Sequence, residues 1–344
     1  MTEDLKKYID TLIDHELERL KVEKDPFLKT GEMGMALCLF GIYSLTGEKS
    51  YKHTADKLLD SLSSHIPSKS PLEIYEGLTG IGLAIMFCAS RGYIEEDVDN
   101  LLMDIDDYLY RNSIKSIENY SDRFLGTYLD ILIYIAHRLK HTADQDLGLI
   151  FSQLWMAIFN KVSLSITYES FIEPNPADLK FNLAEFLYVC ALGISLGDSH
   201  KNRILKVLSD LQYFIFSCNP VLQFNRLTLA LAIHHLLRVT GPDDSWQRYE
   251  ESLVKNISIE DMVKKEFLPN DIFLTHGVPC LYMLLILHGY QLSPKQAQLL
   301  IDKMGKSGLL NKGYSSMVNR GFTGLNGVLG VVYTLLHIKK IRYE

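Results

Sequence analysis

The segment Glu76-Gly77-Leu78-Thr79-Gly80-Ile81-Gly82 opens an uncharged run that lasts to Ala89, before a break at Arg91-Gly92 and a charged amphipathic stretch over residues 94–110. A small-residue turn feeding an apolar run of this length predicts a buried helix, because glycine admits a tight turn and close packing. Forty-six residues upstream the arrangement recurs as Gly31-Glu32-Met33-Gly34, an apolar run over 35–45, a break at Thr46-Gly47-Glu48 and a charged stretch over 51–64. Forty-six residues downstream stands Arg123-Phe124-Leu125-Gly126. A period in this range marks repeated supersecondary units.

Weaker copies begin near Asn182-Leu183-Ala184-Glu185-Phe186 and Arg226-Leu227-Thr228-Leu229-Ala230. Clearer ones begin at Thr275-His276-Gly277 and Gly321-Phe322-Thr323-Gly324, which makes seven. The third unit is longer, and its excess falls in the Pro- and Asn-bearing loop 167–178. The first helix of each unit is nearly uniformly apolar and the second is charged on one face, so the first belongs inside and the second outside. The fold class read from this pattern is all-α, a double-layered α/α toroid of about seven helical hairpins forming one domain over residues 1–344. Closure follows from the ends. An open solenoid needs polar capping repeats, and the last unit, 321–338, is among the most apolar segments.

With 47% apolar and 22% charged residues the chain has the composition of a folded protein. A formal charge of −7 and a pI near 5.9, with no basic stripe, argue against nucleic-acid partners. The basic residues Lys339, Lys340 and Arg342 read as a solvated terminus. The uncharged runs 273–294 and 321–338 read as buried helices rather than membrane spans, since glycine, histidine and proline interrupt the first and glycines open the second. Cys38, Cys88, Cys190, Cys218 and Cys280 are far apart and form no CxxC pair, which points to reduced thiols in a cytoplasmic protein. Residues 1–23 carry charge every few positions and lack the apolar core of a signal peptide.

The turns Gly77-Leu78-Thr79-Gly80-Ile81-Gly82 and Gly321-Phe322-Thr323-Gly324-Leu325-Asn326-Gly327, with Tyr43-Ser44-Leu45-Thr46-Gly47-Glu48-Lys49-Ser50-Tyr51 at a helix end, resemble the lanthionine cyclase-like family along nearly the whole chain. The resemblance implies seven inner and seven outer helices with an active site at one mouth. There a zinc held by two cysteines and a histidine would bind a substrate-peptide cysteine, whose thiolate adds to a dehydrated serine or threonine. Such chemistry needs a cation to lower the thiol pKa and an acid to protonate the enolate. It implies as partners a ribosomally made precursor peptide and a dehydratase or other modifying enzyme.

This sequence departs from the pattern at the metal. Where the family has Cys-His-Gly it reads Thr275-His276-Gly277, and the fifth unit, Phe224 to Ala230, holds no cysteine, so two of the three implied zinc ligands are absent. Glu185 stands where the family carries a histidine acid, and Asp122, four residues before Gly126, matches a functional aspartate. The resemblance therefore implies Asp122, Glu185 and His276 as the catalytic set. His276 and Cys280, one helical turn apart, are candidate metal ligands, with Glu185 as a conceivable third. Thr275 reads as a helix N-cap. His234 and His235 point about 100° apart on one helix, which favours packing or an inter-helix hydrogen bond over shared ligation. Glu73, Glu76, Asp130 and Glu185 lie near turns and could pair as in a glycosidase. The reading is a lanthionine cyclase-like protein of peptide modification. The alternatives are a non-catalytic peptide-binding scaffold and a carbohydrate-active toroid.

Overall fold

Three of the glycine turns close in the same way. The amide of Glu32 donates to the Asp25 carbonyl at 2.8 Å, that of Leu78 to Pro71 at 2.9 Å and that of Val278 to Asp271 at 2.9 Å. In the first two the backbone folds back so tightly that a Cβ on Gly34 would sit 1.8 Å from the Leu28 carbonyl oxygen, and one on Gly80 would sit 1.7 Å from that of Ile74. Glycine is required at these positions by contact. The structure, a computed structural model, describes residues 3–22, 24–62, 70–118, 121–174, 180–311 and 322–343.

Among the described residues there are fourteen α-helices of ten residues or more. The first, α1 (Glu3–Val22), precedes the repeats. Six hairpins follow: α2 (Glu32–Thr46) with α3 (Lys49–Leu62), α4 (Leu78–Ser90) with α5 (Val98–Glu118), α6 (Leu125–His141) with α7 (Gln145–Ser165), α8 (Asn182–Ile194) with α9 (Asp198–Ser217), α10 (Gln223–Thr240) with α11 (Asp244–Val254), and α12 (Val278–Leu287) with α13 (Pro294–Gly305). The chain ends in α14 (Val328–Tyr343). The described residues contain no strand, only an isolated bridge between Ile272 and Gly277.

The even-numbered helices form the inner ring. Each packs on its neighbours from α2 through α4, α6 and α8 to α10, and α12 packs on α14, which returns to α2. Between α10 and α12 the ring is completed by the turn Met262–Glu266 lying on α10 and by the His234 and His288 rings, 6.3 Å apart. The seventh outer position belongs to the N-terminus, since α1 packs on α14. Its buried Ile9, Leu12, Ile13, Glu16 and Leu20 form one stripe at helical spacing. The all-α toroid is thereby closed, by a helix from the opposite end of the chain.

The sequence contrast between layers is what packs it. On α3 only Tyr51, Ala55, Leu58 and Leu62 are buried, whereas α2 buries Met33, Met35, Ala36, Cys38, Leu39, Phe40 and Ile42 around much of its circumference. The core is accordingly annular, one arc running over α4 to α11 and the other over α1 to α3 and α12 to α14, with Leu37, Leu59 and Leu325 packed against both. In the first arc Arg138, fully buried, holds Asp106 at 2.8 Å and Asp99 at 2.7 Å while Tyr134 donates to Asp106 at 2.6 Å, tying α6 to α5. Three outer helices are started by side-chain caps, Asp144 on α7, Asp243 on α11 and a Ser293–Gln296 capping box on α13.

Several boundaries differ from the sequence reading. The second outer helix starts at Val98, because residues 91–97 make the turn that lets α5 lie back along α4. The run 273–294 is broken into a turn, the ten-residue α12 and a second turn. Gly321 lies outside the described residues, and the last inner helix begins at Val328 after a tight turn over Gly324–Asn326. The long third loop contains a turn at Tyr168–Phe171 before residues 175–179, which lie outside the described set. One described helix, α7, is long and apolar enough to cross a membrane by length and composition, and its Phe151, Trp155, Ile158 and Phe159 are buried in the annular core. Cys38, Cys88, Cys190 and Cys218 are free thiols, and burial holds the Cys88 thiol up at about 12.

Candidate functional site at the mouth of the ring

The N-terminal ends of the inner helices meet at one rim, where turns distant in sequence are stitched to one another. Leu325 and Asn326 donate amides to the Leu28 and Lys29 carbonyls at 3.1 and 2.9 Å, and Lys29 donates to Tyr75 at 3.0 Å. Leu274 donates to Leu325 at 3.3 Å, and the Thr323 hydroxyl donates to the Thr30 carbonyl. The Ile74 amide donates to Asp130 Oδ2 at 3.0 Å, and Lys180 Nζ reaches the same oxygen at 2.6 Å. A continuous chain of bonds thus runs from the sixth unit through the seventh, first, second and third to the fourth.

Its charged centre is Lys180, just before α8. The ammonium lies 5.8 Å from the centre of the Tyr75 ring and feels Asp130, Glu185 and Glu73. Burial pulls it down, but those three carboxylates more than offset this and hold it above the ordinary lysine value. Asp130, with only 1% of its side chain exposed, is pushed up by burial and pulled part of the way back by Lys180 and the Ile74 amide. Glu73 accepts from the Thr127 hydroxyl at 3.4 Å, and Glu76 pairs with Lys29 at 2.5 Å on the outer edge. Glu185 is half-buried in the first turn of α8, beside Lys180. The pairing of carboxylates weighed from the sequence is therefore a set of three sharing one cation.

The remaining site candidates sit on other turns of the chain. Asp122 lies in the short turn Asp122–Phe124 that opens α6, and its side chain lies outside the described set. His276 precedes α12 instead of opening it, and its Nδ1 sits 3.0 Å from the Thr275 hydroxyl, which donates onward to Asn326 at 2.5 Å. Thr275 is consequently no N-cap. That position belongs to Gly277 at φ +103, a left-handed angle that favours glycine. His276 therefore lies outside the helix, whereas Cys280 lies in its first turn and is 1% exposed. His234 is exposed and contacts Glu250 of α11 at 3.2 Å, the inter-helix bond, while the His235 ring lies tilted at 5.3 Å from that of Tyr188.

Zinc implied by the resemblance needs three converging ligands. Among the described residues no three His, Cys, Asp or Glu side chains are grouped to hold a metal. At the start of α10, where the family pattern would place one sulfur, Phe224 is fully buried against Phe267. The amides there are taken by two carboxylates: Val221 and Leu222 donate to Glu173 at 2.9 and 2.8 Å, and Gln223 and Phe224 donate to Glu266 at 2.8 and 3.0 Å. This end of α10 is a doubly capped helix start, satisfied without an ion. The described side chains do not fit a three-ligand zinc site.

Sequence reasoning missed Lys180, Glu173 and Glu266. Lys180 had one visible signal, a lone cation between a proline-bearing loop and an apolar helix. The two glutamates act from loops on a helix start more than forty residues away, and no local pattern marks that.

The lanthionine synthetase C-like protein family model matches residues 23–171, which span the first three hairpins and their glycine turns. No curated protein matches the chain. The chain is thus similar to the lanthionine synthetase C-like protein family across the first three hairpins of its all-α ring.

Proposed function

We propose that the chain, working as one seven-unit ring, acts on or holds a ribosomally made precursor peptide at this mouth, in company with a dehydratase or another modifying enzyme. The observation that carries the reading is the convergence of Glu73, Asp130, Lys180 and Glu185, from three different units, at the rim where the repeat turns meet. A lysine ammonium among carboxylates supplies both a proton donor and a proton acceptor, the two roles that thiol addition to a dehydrated residue requires. The same acidic rim favours a peptide carrying positive charge. Asp122 and His276 stand as further members of this site.

Peptide holding without turnover is the second reading, favoured by the doubly capped α10, where a zinc sulfur ligand would be expected. Incubation with a dehydrated, cysteine-containing precursor separates the two. Loss of the alkylatable thiol at unchanged peptide mass shows cyclisation. Saturable binding with the thiol intact shows holding. Neither binding nor ring formation would sink both.

A further inference from the structure

The end of the ring away from the glycine turns has a different chemistry. There the C-terminal halves of α6 and α10 and the end of α12 bring together His137, Lys140, His234, His235, Arg238 and His288. These groups are in one another's field across helix boundaries. Lys140 of α6 perturbs His235 of α10, and His288, at the end of α12, feels His234, His235 and Arg238. The rings of His234 and His288 are 6.3 Å apart, and the Tyr188 ring of α8 lies tilted beside His235 at 5.3 Å, so four inner helices contribute to one cluster.

Lysine and arginine in a last turn are ordinary on one helix, since each offsets the partial negative charge of its own C-terminus. That does not account for gathering imidazoles and cations from three helices where they repel. Partial burial, reinforced by neighbouring imidazoles and cations, holds His137 and the more exposed His288 down at about 4, and His235 below its usual value. Among the described residues nothing pulls these three the other way. Glu250, from α11, takes up only Nδ1 of His234, and His141 adds a further imidazole beside His137. In a chain of net charge −7 this is a local excess of N–H donors with its counter-charge missing.

We propose that this far end of the ring binds a phosphate-bearing anion, gripped by Lys140 and Arg238 with the imidazoles of His235 and His288 as additional donors. The guanidinium fork and the ammonium suit a tetrahedral group with several acceptor oxygens. Lys140, Arg238, His234 and His288 are all exposed, so the donors are reachable from solvent. An anion would relieve the repulsion and draw protons onto the depressed imidazoles, which couples binding to proton uptake.

Isothermal titration of the intact protein with inorganic sulfate, whose charge is constant between pH 5.5 and 8, tests this without any peptide. Inorganic phosphate provides the second arm. The expected result is saturable binding that tightens about tenfold from pH 8 to pH 5.5 and weakens at least tenfold in the Lys140→Ala, Arg238→Ala double variant. Both positions are exposed, and an unchanged melting transition would show that the variant is folded. Lys180→Met, at the opposite rim, is expected to bind sulfate as the parent does. Non-saturable uptake, equal affinity in the double variant or no dependence on pH would each overturn the proposal, and none of them bears on the peptide reading.

Discussion

Glu16 and Leu329 are 313 residues apart and share a hydrogen bond of 3.3 Å, from the Leu329 amide to the Glu16 carboxyl. This contact sets the N-terminal helix against the start of the last inner helix and completes the outer layer. The carboxyl is fully buried, and an added Cβ on Gly327 would lie 2.7 Å from it. Burial raises Glu16 to about 8, although the amides of Leu329, Val328 and Gly324 pull the other way.

The sign of the consequence is set by those two values. The unfolded carboxyl ionises near 4.5 and the folded one near 8, so closure at α1 is strongest below 4.5 and is lost as pH rises through 8, at about 1.4 kcal/mol per unit between. Glu16→Gln keeps the shape and the acceptor but not the charge. Urea denaturation from pH 5 to 9 should show the parent losing stability up to about pH 8 and levelling off above it, with the variant nearly flat throughout; parallel curves would refute the assignment.

Gly34→Ala and Gly80→Ala should each prevent stable folding or cost several kcal/mol, because the methyl meets a carbonyl oxygen that cannot retreat without opening the turn. Gly148→Ala, in the first turn of α7 with nothing within 4 Å, should instead raise stability by about 0.5 to 1 kcal/mol. Thermal melts of the three variants side by side distinguish a steric requirement from a general intolerance of alanine.

The buried Arg138 network offers a third measurement. Arg138→Ala leaves Asp106, 5% exposed, without its counter-charge, and a loss of about 3 to 5 kcal/mol is expected. Replacing Arg138 by Met and Asp106 by Leu together removes both charges and should recover much of that loss. Equal destabilisation by the single and double replacements would mean that the ion pair is incidental to α5–α6 packing.

What could be read from the chain was what repeats locally. Gly34 and Gly80 are spaced 46 residues apart because each faces the carbonyl six residues before it, and a contact so local writes itself into the sequence. The inner and outer assignment was legible for the same reason, since burial follows helical spacing on α3. The closing helix was not. Nothing in residues 1–23 has a glycine turn, and the one odd feature, Glu16 on an otherwise apolar stripe, is explained only by Leu329 at the far end of the chain. The site was half-legible. Its carboxylates sit at turns and could be counted, whereas the cation that organises them, Lys180, is chosen by where α8 starts in space. His276 was located correctly at a turn but placed on a helix that begins two residues later.

Lys180 therefore carries the last test. The Asp130 carboxylate is nearly inaccessible and is held by that ammonium at 2.6 Å and by the Ile74 amide at 3.0 Å. Lys180→Met withdraws the ammonium, so burial raises the Asp130 carboxyl further and the stitch between the second, third and fourth units weakens. Lys180 keeps 28% of its side chain exposed, so solvent screens part of the interaction and the expected loss is about 1 to 3 kcal/mol, less than for Arg138. Asp130→Asn retains an acceptor for Ile74 but takes the Asp130 charge from the ammonium, which keeps Glu73 and Glu185. If the pair acts as a unit, the two single changes and the double change will not add, with a coupling above about 1 kcal/mol in urea denaturation. Additive effects would mean that Lys180 is held by Glu73 and Glu185 instead, and that Asp130 serves only the turn at Ile74.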